Sequence, residues 1–557
     1  MNVAEYVADF LVRKGVKHVF GFQGGAILKL IDEFIKTEKI NYIQNYHEQA
    51  SAFAADAYSR VTGNIGVALA TSGPGATNLI TGIANAQLDS IPALFITGQD
   101  YTANIVRESG ARQNGFQDLN IVNIVEPITK YTALITDPNK VPYELDKAFH
   151  IAKSGRPGAV LLDIPIDVQF KDIDFTECDQ YIQLDDSDNA FDLSGVISLI
   201  CNSKRPLIIV GGGIQISKTV SEINELIKRT KIPVVATVNG LDATVSANGF
   251  AGLHGNTFAN LAVKNADLIL AFGVRFGQRQ VGKIPNDYSR AHIVHVDIDD
   301  SELNRIFEKE TAIKADLKIF LSKLNEDLIN VALPSFESWQ ALIETWIDKY
   351  RNCAYLNKTG LDPVQAVEKI TSKLKENSII TNDVGQNQMW VAQGYTKKIG
   401  QRLLNSCGLG SMGYSLPAAI GAKIACPDKQ VIAFTGDGGL QMNLQELIFV
   451  GHRGLGIKTI VFNNNTLGMM REVQARYYEK HYYGANKDEF TCINLEQLAA
   501  TLNIKFCKIK TLMDLDGFDE VLEDESPYIV ELVIDYNSML SNRYDEAHIF
   551  EEEKLDA

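Results

Sequence analysis

The stretch that decides the fold is "VIAFTGDGG", residues 431–439. Its first part is a run of apolar residues, and the run stops abruptly at Gly436-Asp437-Gly438-Gly439. A continuous apolar run is typical of a parallel strand that is buried on both faces. The glycines allow the main chain to turn tightly after such a strand. The stretch therefore predicts a strand, a turn and a helix of an α/β fold, with a carboxylate at the turn.

Similar units recur along the whole chain. Short runs rich in Val, Ile and Leu end in Gly, Asp, Asn or Ser and are followed by helix-like segments. Examples are "IGVALATSGPG", "IPALFITGQ", "GAVLLDIP", "PLIIVGGG", "IPVVATVNG", "DLILAFGVRFG", "HIVHVDIDD", "SIITNDVGQ", "QVIAFTGDGG", "IKTIVFNNN" and "YIVELVID". This alternation predicts an α/β protein with doubly wound parallel sheets, whose ligand sites lie beyond the carboxyl ends of the strands.

Two polar stretches interrupt the alternation, an acidic one at 170–192 and a second at about 330–360. A chain of 557 residues is also too long for a single hydrophobic core. We therefore predict three domains, at residues 1–170, 190–330 and 355–540. The two outer domains are candidates for a shared architecture.

Composition argues against several classes of protein. The net charge of -16 disfavours a nucleic-acid partner, because such a surface repels phosphates. No apolar run reaches the roughly 18 residues of a membrane span, and residues 1–15 have the pattern of an amphipathic helix, not of a signal peptide. The seven cysteines have no disulfide or metal-site spacing. A soluble, cytoplasmic protein is expected.

A second polar motif follows the first at the spacing of one helix and one strand. Between Gly438 and Asn463-Asn464 lie 24 residues, enough for one helix and the strand "IKTIVFNNN". Asp437 and Asn464 are therefore predicted at the tips of neighbouring strands, where a carboxylate and an amide oxygen suit Mg²⁺ with bound phosphates. A helix expected to start near Leu440 would offer free N–H groups to a diphosphate. Without the second motif, the glycines are more typical of an ordinary tight turn.

This spacing resembles the signature of thiamine diphosphate (ThDP) enzymes, and longer segments resemble the acetolactate synthase (acetohydroxyacid synthase) large-subunit family. The segments are "VFGFQGGAI", "HEQASAFAADAYSRVTG", "ATSGPGATNLITGIANAQLDSIPALFITGQ", "GRPGAVLLDIPIDVQ", "DVGQNQMWVAQ", "GLGSMGYSLPAAIGA" and "GDGGLQMNLQELIFV". The resemblance covers nearly the whole chain. It implies a pyrimidine-binding, a central and a diphosphate-binding domain. It also implies an active site between subunits of a homodimer or homotetramer, and it allows a small regulatory subunit.

The resemblance also implies roles for single residues. Glu48, at the entrance of an alanine-rich helix, would activate ThDP from beside its aminopyrimidine. Gly410 would accept a hydrogen bond from that ring, Met412 would hold the cofactor bent, and Gln117 would line the pocket near the reacting carbons. Carried over in the same way, the Mg²⁺ ligands are Asp437, Asn464 and the Thr466 carbonyl, and the other cofactor contacts are Gln386, Asn387, Gly438, Gly439 and Met469. Taken singly, Glu48, Met412 and Gln117 are also typical of a helix start, a core methionine and a loop amide.

The central domain contains segments that resemble the FAD-binding segments of the same family. These are "IIVGGGI", "TVNG", "GLHG", "FGVRFGQR" and "HVDIDDSEL", and the residues implied are Gly211, Gly212, Gly213, His254, Gly273, Arg275, Asp297 and Asp316. Glycine-rich strand ends admit a dinucleotide, and an arginine suits its phosphates. Bound FAD is therefore expected. Its role would be mainly structural, because the family's carboligation is not a net oxidation.

Three positions depart from the family pattern. Its "GMVxQW" segment reads "GMMREV" here, so that Val473 stands where a tryptophan packs against the second substrate. Ile166 replaces a lysine after "DIP", and Gln23 replaces the proline of "GYPGG". Arg279 retains the arginine that holds the acceptor carboxylate. These changes predict that pyruvate stays the donor while the acceptor side of the pocket becomes larger and less selective for a small anion.

We therefore predict an enzyme that decarboxylates pyruvate and transfers the acetyl unit to a ketone or 2-keto acid, in the manner of acetolactate synthase. The candidate acceptors are a second pyruvate and a nucleotide-linked keto-deoxysugar, with a slight preference for a non-standard acceptor. Alternatives are a pyruvate oxidase-type flavoenzyme, a 2-keto acid decarboxylase and a non-catalytic homologue. Because Glu48, Asp437 and Asn464 are all present, the last is disfavoured.

Overall fold

Three parallel sheets organise the chain. The structure, a computed structural model, describes residues 1–105, 110–183, 191–351, 360–540 and 555. Each sheet has six strands, and the strand pairs within all three sheets are parallel. Helices pack against the sheets and bury their apolar side chains in the cores. The predicted α/β class is confirmed.

The first sheet has the strand order β2-β1-β3-β4-β6-β5. Its strands are β1 (His18–Gly21), β2 (Asn41–Gln44), β3 (Gly66–Ala70), β4 (Ala93–Gln99), β5 (Tyr131–Leu134) and β6 (Ala159–Pro165). Its helices are α1 (Val3–Arg13), α2 (Leu28–Lys36), α3 (Glu48–Thr62), α4 (Pro74–Asn78), α5 (Ile80–Leu88), α6 (Ile121–Val125), α7 (Val141–Lys153) and α8 (Ile166–Phe170).

The second sheet has the order β12-β11-β10-β7-β8-β9, which reverses between β7 and β10 as in dinucleotide-binding folds. Its strands are β7 (Pro206–Val210), β8 (Val234–Ala236), β9 (Ala247–Phe250), β10 (Leu268–Phe272), β11 (His292–Asp297) and β12 (Glu310–Lys314). The helices from here to the third sheet are α9 (Ser194–Asn202), α10 (Gly213–Ile216), α11 (Val220–Thr230), α12 (Thr257–Asn265), α13 (Gln278–Val281), α14 (Pro285–Tyr288), α15 (Leu317–Asp327) and α16 (Glu337–Tyr350).

The third sheet, ordered β14-β13-β15-β16-β18-β17, repeats the order of the first sheet. Its strands are β13 (Ile379–Asn382), β14 (Arg402–Asn405), β15 (Val431–Gly436), β16 (Ile457–Asn463), β17 (Lys505–Ile509) and β18 (Tyr528–Val533). Its helices are α17 (Pro363–Lys373), α18 (Gln386–Gly394), α19 (Ser415–Ala425), α20 (Asp437–Met442), α21 (Glu446–Arg453), α22 (Gly468–Tyr477), α23 (Leu495–Thr501) and α24 (Phe518–Glu523). The two outer domains therefore share one architecture.

The helix after "FTGDGG" differs from the prediction. It begins at Asp437, not near Leu440, and it ends at Met442, so the predicted single helix is divided into α20 and α21. The division falls at Asn443, whose side chain donates hydrogen bonds to the Gly413 carbonyl (2.8 Å) and to Gln49 (3.1 Å). These tertiary bonds hold Asn443 outside the helical conformation, which the local sequence does not reveal.

Residues after α8 return to the N-terminus of the chain. Asn2 and Asp172 form an antiparallel bridge, and the Val3 N–H donates to the Lys171 carbonyl at 2.9 Å. The boundaries 1–170, 190–330 and 355–540 remain predictions, since residues 184–190 and 352–359 lie outside the described part of the chain. No helix within the described part is long and apolar enough to cross a membrane.

Buried polar contacts join the three domains. Arg402 at the start of β14 donates to Asp242 of the second domain at 2.8 Å and to the Arg60 carbonyl of the first domain at 2.6 Å. Arg60 itself pairs with Asp56 at 2.7 Å and with Asp89 at 3.2 Å. Helix α3 also packs along α19. One junction of polar residues therefore holds the first, second and third domains together.

Candidate functional site

The carboxyl ends of β15 and β16 bring the two predicted metal-binding motifs together. The strands pair side by side, with Gly436 opposite Phe462. Asp437 follows directly after β15, and Asn464 follows directly after β16. The predicted position of these two residues at neighbouring strand tips is confirmed.

The Asp437 carboxylate is buried and only partly hydrogen-bonded. It is 3% exposed, and its Oδ1 accepts from the Gly438 N–H at 2.8 Å. Burial raises the pKa of Asp437 to about 6, although the main-chain N–H groups of residues 464–466 act to lower it. These N–H groups do not reach hydrogen-bonding geometry with Oδ2, which is buried without a hydrogen-bond partner among the described residues. A buried carboxylate oxygen without a partner is unfavourable, so this position suits a cation.

The other two predicted metal ligands belong to the loop after β16. Asn464 is buried, and its Nδ2 donates to Gln386 Oε1 at 3.1 Å. The Thr466 carbonyl accepts from the Gly468 N–H at 2.9 Å, while the Thr466 hydroxyl donates to the Ala485 carbonyl. The next turn leads into α22, where Met469 is half-buried against the core of the domain. The loop is therefore fixed at both ends.

Helix α18 begins beside this loop, with Gln386 and Asn387 in its first turn. Asn387 Nδ2 donates to the Asp383 carbonyl at 2.8 Å, and a Cβ placed on Gly436 would lie 3.1 Å from Asn387 Oδ1. Gln386 Nε2 donates to the Ser538 carbonyl at 3.0 Å and to a carboxylate on α22. Gln386 and Asn387 thus border the Asp437 turn. In the structure the Gln386 amide is hydrogen-bonded to other protein groups. The family resemblance had implied that it contacts the diphosphate.

Glycines bring the main chain of α20 against its neighbours. A Cβ on Gly439 would lie 2.8 Å from Asp383 Cγ. A Cβ on Gly438 would lie 2.6 Å from Leu467 Cδ2 and 3.2 Å from Met412 Cε. Larger side chains therefore do not fit at this turn. Met412, predicted to hold the cofactor, lies over the first turn of α20.

Asp383 anchors the turn that carries Gly410 and Met412. Its carboxylate accepts from the Gly413 N–H at 2.9 Å and from the Ser415 N–H at 3.1 Å. Burial raises the pKa of Asp383 to about 6. Gly410 has a φ of +71°, which favours glycine, and no atom would meet a Cβ there within 4 Å. Asp383 was missed by the sequence analysis, although it follows the end of β13 as Asp437 follows β15.

Glu48 and Gln117 both approach α4, Glu48 at the helix itself and Gln117 at the residue before it. Glu48, the first residue of α3, is 6% exposed, and its Oε2 accepts from Asn78 Nδ2 at 2.9 Å. A Cβ on Gly75 would lie 3.2 Å from Glu48 Oε1. Gln117 has a φ of +62°, and its Cβ lies 2.8 Å from the place that a Cβ on Gly73 would occupy. The structure therefore brings these two predicted site residues to one turn.

Glu446 of α21 fixes the chain just before Glu48. Its carboxylate accepts from Asn45 Nδ2 at 3.0 Å and from the Tyr46 N–H at 2.8 Å. Burial raises the pKa of Glu446 to about 7. The sequence gives no signal for this contact, because its partners are about 400 residues apart in the chain.

A cavity of about 1060 Å³ lies where the three domains meet. It opens at the ends of β7 and β10, where the strand order reverses and dinucleotide folds bind their ligand. Of the residues predicted to bind FAD, those in its wall are Gly212, Gly213, Gly273, Arg275, Asp297 and Asp316. Gly211 and His254 are not among the residues that line the cavity. A Cβ on Gly211 would lie 1.9 Å from the Gly273 carbonyl oxygen, and the His254 carbonyl accepts from Gln393 Nε2 at 2.7 Å.

Charged side chains in the cavity wall differ in how closely they are paired with other groups of the protein. Asp316 caps α15 by accepting from the Lys318 N–H at 2.7 Å, so its carboxylate has a structural partner. Asp297 is half-buried, and burial raises its pKa. Arg275 is half-exposed and only 3.8 Å from Glu302, which also pairs with Arg156 at 2.9 Å. Among these groups, the loosely paired Arg275 and the half-buried Asp297 are the ones most available to a ligand.

The three predicted substrate residues lie on different domains. Arg279 lines the same cavity and donates to Gln388 of α18 at 3.0 Å. Val473 is 37% exposed on α22, and Ile166 is half-buried as the first residue of α8. Lys283, just after α13, lies 5.9 Å from the ring of Tyr477 at the end of α22. The elements that carry Arg279 and Val473 therefore approach each other.

Known proteins match this chain over most of its length. Thiamine pyrophosphate (ThDP) enzyme models match in three parts: the N-terminal TPP binding domain at residues 1–124, the central domain at 193–324, and the C-terminal TPP binding domain at 383–532. The chain is 37% identical over 546 residues to the acetolactate synthase large subunit of Cyanidium caldarium, covering 94% of this chain and 92% of that protein.

Two further relatives have similar names. The acetolactate synthase large subunit of Lactococcus lactis subsp. lactis (strain IL1403) is 36% identical over 541 residues, or 95% of this chain and 92% of its own. Acetolactate synthase 2, chloroplastic, of Nicotiana tabacum is 34% identical over 551 residues, or 95% of this chain and 82% of its own.

Proposed function

The chain belongs to the acetolactate synthase family of thiamine pyrophosphate enzymes, and from this membership we propose its metal, flavin, subunit arrangement and acceptor. It is a ThDP-dependent carboligase of the acetolactate synthase type that forms carbon–carbon bonds. The relatives do not favour the branched-sugar or pyruvate oxidase alternatives.

Mg²⁺ is proposed to bind Asp437, Asn464 and the Thr466 carbonyl. The single observation that carries this assignment is the buried, unpartnered Asp437 Oδ2 at the tip of β15, beside the loop after β16. Gly438 and Gly439 let the main chain of this turn lie against Leu467 and Asp383, because Cβ atoms there would collide with these side chains. The donor set is all oxygen, as Mg²⁺ prefers.

Glu48 is proposed to handle the proton that activates the cofactor. Bound ThDP supplies the electron sink for decarboxylation of pyruvate. The Asn78 amide occupies Glu48 Oε2, while the absence of a side chain at Gly75 leaves space beside Oε1. We therefore assign the exchangeable proton to Oε1. Gln117, on the same turn, would orient the substrate carbonyl.

FAD is proposed to occupy the cavity between the three domains. The volume of about 1060 Å³, the strand-order reversal at β7 and β10 and the arginines in the wall support a dinucleotide. Because the reaction is not a net oxidation, the flavin would hold the domains in place and take no electrons. The test is flavin absorbance of the purified protein, together with the absence of bleaching by pyruvate under anaerobic conditions.

A homodimer is proposed as the smallest active unit, with a homotetramer and a small regulatory subunit as further predictions. Phe116, beside Gln117, is 86% exposed, and Tyr101 in the same domain is 52% exposed. Large exposed apolar side chains beside a predicted site favour an interface with another protein chain. A second copy would cover them and complete the active site.

The acceptor is proposed to be a 2-keto acid, and the pocket is proposed to discriminate only weakly between small and large acceptors. Arg279 keeps a cation for its carboxylate, and Val473 leaves the acceptor side without an aromatic wall. The test is mass spectrometry of products from isotopically labelled pyruvate with a panel of 2-keto acids and bulky ketones. An ordinary synthase rate with pyruvate alone, and no gain from any larger acceptor, would contradict the relaxed selection.

A further inference from the structure

A buried hydrogen-bond chain links the loop after β16 to helix α22. Asn464 Nδ2 donates to Gln386 Oε1 at 3.1 Å. Gln386 Nε2 then donates to Glu472 Oε1 and to the Ser538 carbonyl, the second at 3.0 Å. All four residues are buried, and a Cβ on Gly468 would lie 1.9 Å from Gln386 Oε1. The bridging amide is therefore held tightly and has little freedom to rotate.

The contacts around Glu472 fix which way the hydrogen bonds of this network point. Glu472 Oε1 accepts two hydrogen bonds, from Gln386 and from the Leu540 N–H at 2.7 Å, so this oxygen is an acceptor in either protonation state of the carboxyl. The Ser538 carbonyl is also only an acceptor. Both N–H groups of Gln386 are thus required on the α22 side, and its oxygen must face the opposite way.

The orientation passes on to Asn464. Because Gln386 presents only its oxygen, the Asn464 side chain must turn its NH₂ group toward Gln386. Its amide oxygen is then the atom left for a cation. In the reverse orientation Asn464 would present N–H groups, which repel Mg²⁺. An amide has two nearly isosteric orientations, and a neighbouring acceptor decides between them.

We propose that Glu472 is a positioning residue for the metal site, acting through Gln386 to keep the Asn464 amide oxygen turned toward Mg²⁺. This inference rests on the proposed metal site at Asp437 and Asn464. The related "GMVxQW" segment has glutamine at this position, so the carboxylate is a feature of this chain. Partners behind a metal ligand commonly change metal affinity by about 10- to 100-fold when altered.

The test is a titration of the ThDP-saturated protein with Mn²⁺ as the Mg²⁺ substitute, followed by electron paramagnetic resonance. We expect Glu472→Met, which removes the acceptor, to raise the Mn²⁺ dissociation constant by about 10-fold. Glu472→Gln keeps an acceptor oxygen in place, so its effect should stay within about 3-fold. The control is Arg471→Met, which loosens the contact of the same helix with the Tyr536 carbonyl and leaves Gln386 untouched.

A second background should remove the expected effect. In Asn464→Asp the ligand is a carboxylate, which offers an oxygen to the metal in either orientation. The orientation of Gln386 then no longer decides which kind of atom residue 464 presents, so Glu472→Met should change the Mn²⁺ dissociation constant by less than about 3-fold in this background. The smaller replacement Glu472→Ala also removes the acceptor, and it is compared in the same two backgrounds if Glu472→Met does not fold.

Three outcomes would overturn the inference: equal losses in Glu472→Met and Arg471→Met, equal losses in Glu472→Met and Glu472→Gln, or the same loss in Glu472→Met, or in Glu472→Ala, in both backgrounds. The first would assign the effect to the C-terminal segment, and the second to the charge of Glu472. Failure of the unaltered protein to bind Mn²⁺ with ThDP would instead reject the proposed metal site itself.

Discussion

Glu446 and Asn45 form a buried hydrogen bond of 3.0 Å between α21 of the third domain and the turn that leads into Glu48. The Tyr46 N–H reinforces the contact at 2.8 Å. Glu48 therefore owes its position to a carboxylate from the domain that carries Asp437. This contact connects, within one chain, the segments that carry two of the residues proposed to act on the cofactor.

Glu446 should make stability depend on pH. Its pKa is 4.5 in the unfolded chain and about 7 in the folded protein. A raised pKa in a buried acid gives stability that is present below about pH 4.5 and lost as the pH rises through about 7. Glu446→Gln removes that loss, so relative to the unaltered protein the variant should gain on the order of 3 kcal/mol between these limits. Urea midpoints at a series of pH values measure the difference, and parallel profiles would contradict it.

Glu48→Gln should abolish most of the activity without unfolding the protein. Glutamine can still accept from Asn78, but it cannot exchange the proton that we assign to Oε1. A fall in kcat of at least about 100-fold is expected, with thermal stability retained. The control is Glu126→Gln, an exposed glutamate in the same domain. Undiminished turnover of Glu48→Gln would remove this residue from the mechanism.

Mixing two inactive variants should restore activity if the site lies between subunits. Glu48→Gln and Asp437→Asn each damage one half of the site. In a mixed dimer one of the two sites would keep both intact halves, so random reassociation should give about a quarter of the normal activity. The mixture is prepared by mild dissociation and reassociation and is compared with each variant treated alone. Activity no higher than theirs would indicate that each site is built within one chain.

Arg275→Met should weaken flavin binding. The side chain is half-exposed in the cavity wall, where it is available to a phosphate. Loss of such a charge-assisted contact should raise the FAD dissociation constant by about 10-fold. Flavin retained after gel filtration at graded FAD concentrations gives the measurement. Arg290→Met, at an exposed arginine outside the cavity wall, should behave as the unaltered protein.

Val473→Trp should narrow the choice of acceptor. An aromatic wall at this exposed position on α22 would favour small 2-keto acids over bulky ketones. In competition experiments the product ratio should move toward 2-ketobutyrate by about 10-fold, the usual scale for one added apolar contact in a pocket. Val245→Trp, an exposed valine of the second domain, is the matched control. An identical product ratio in Val473→Trp and its control would place the acceptor elsewhere.

The sequence predicted the central strands of the sheets better than the edge strands. The eleven apolar runs quoted above are β3, β4, β6, β7, β8, β10, β11, β13, β15, β16 and β18, and none of them is an edge strand. The edge strands β2, β5, β9, β12, β14 and β17 have a neighbour on one side only. Strands such as β2 and β5 are half-exposed, so they lack a continuous apolar run. Four-residue β1 is too short to stand out.

The site was predictable where sequence order fixes spatial order. Asp437 and Asn464 follow consecutive parallel strands, so their proximity follows from topology alone. Glu446, Glu472 and Asp383 act through partners chosen by tertiary packing. Glu472 and Gln386 are 86 positions apart in the sequence, and no local sequence pattern indicates that they form a pair. Hydrogen-bond networks of this kind become visible only when the helices are placed.

The cavity between the domains links the stability of the folded enzyme, and so its amount in a cell, to the ligand that fills it. Its wall takes residues from all three domains, so a ligand that fills it binds only their assembled arrangement. Such a ligand stabilises that arrangement by about 2.7 kcal/mol at a concentration 100-fold above its dissociation constant. If the ligand is FAD, the supply of riboflavin would then set the abundance of an enzyme whose reaction transfers no electrons to it.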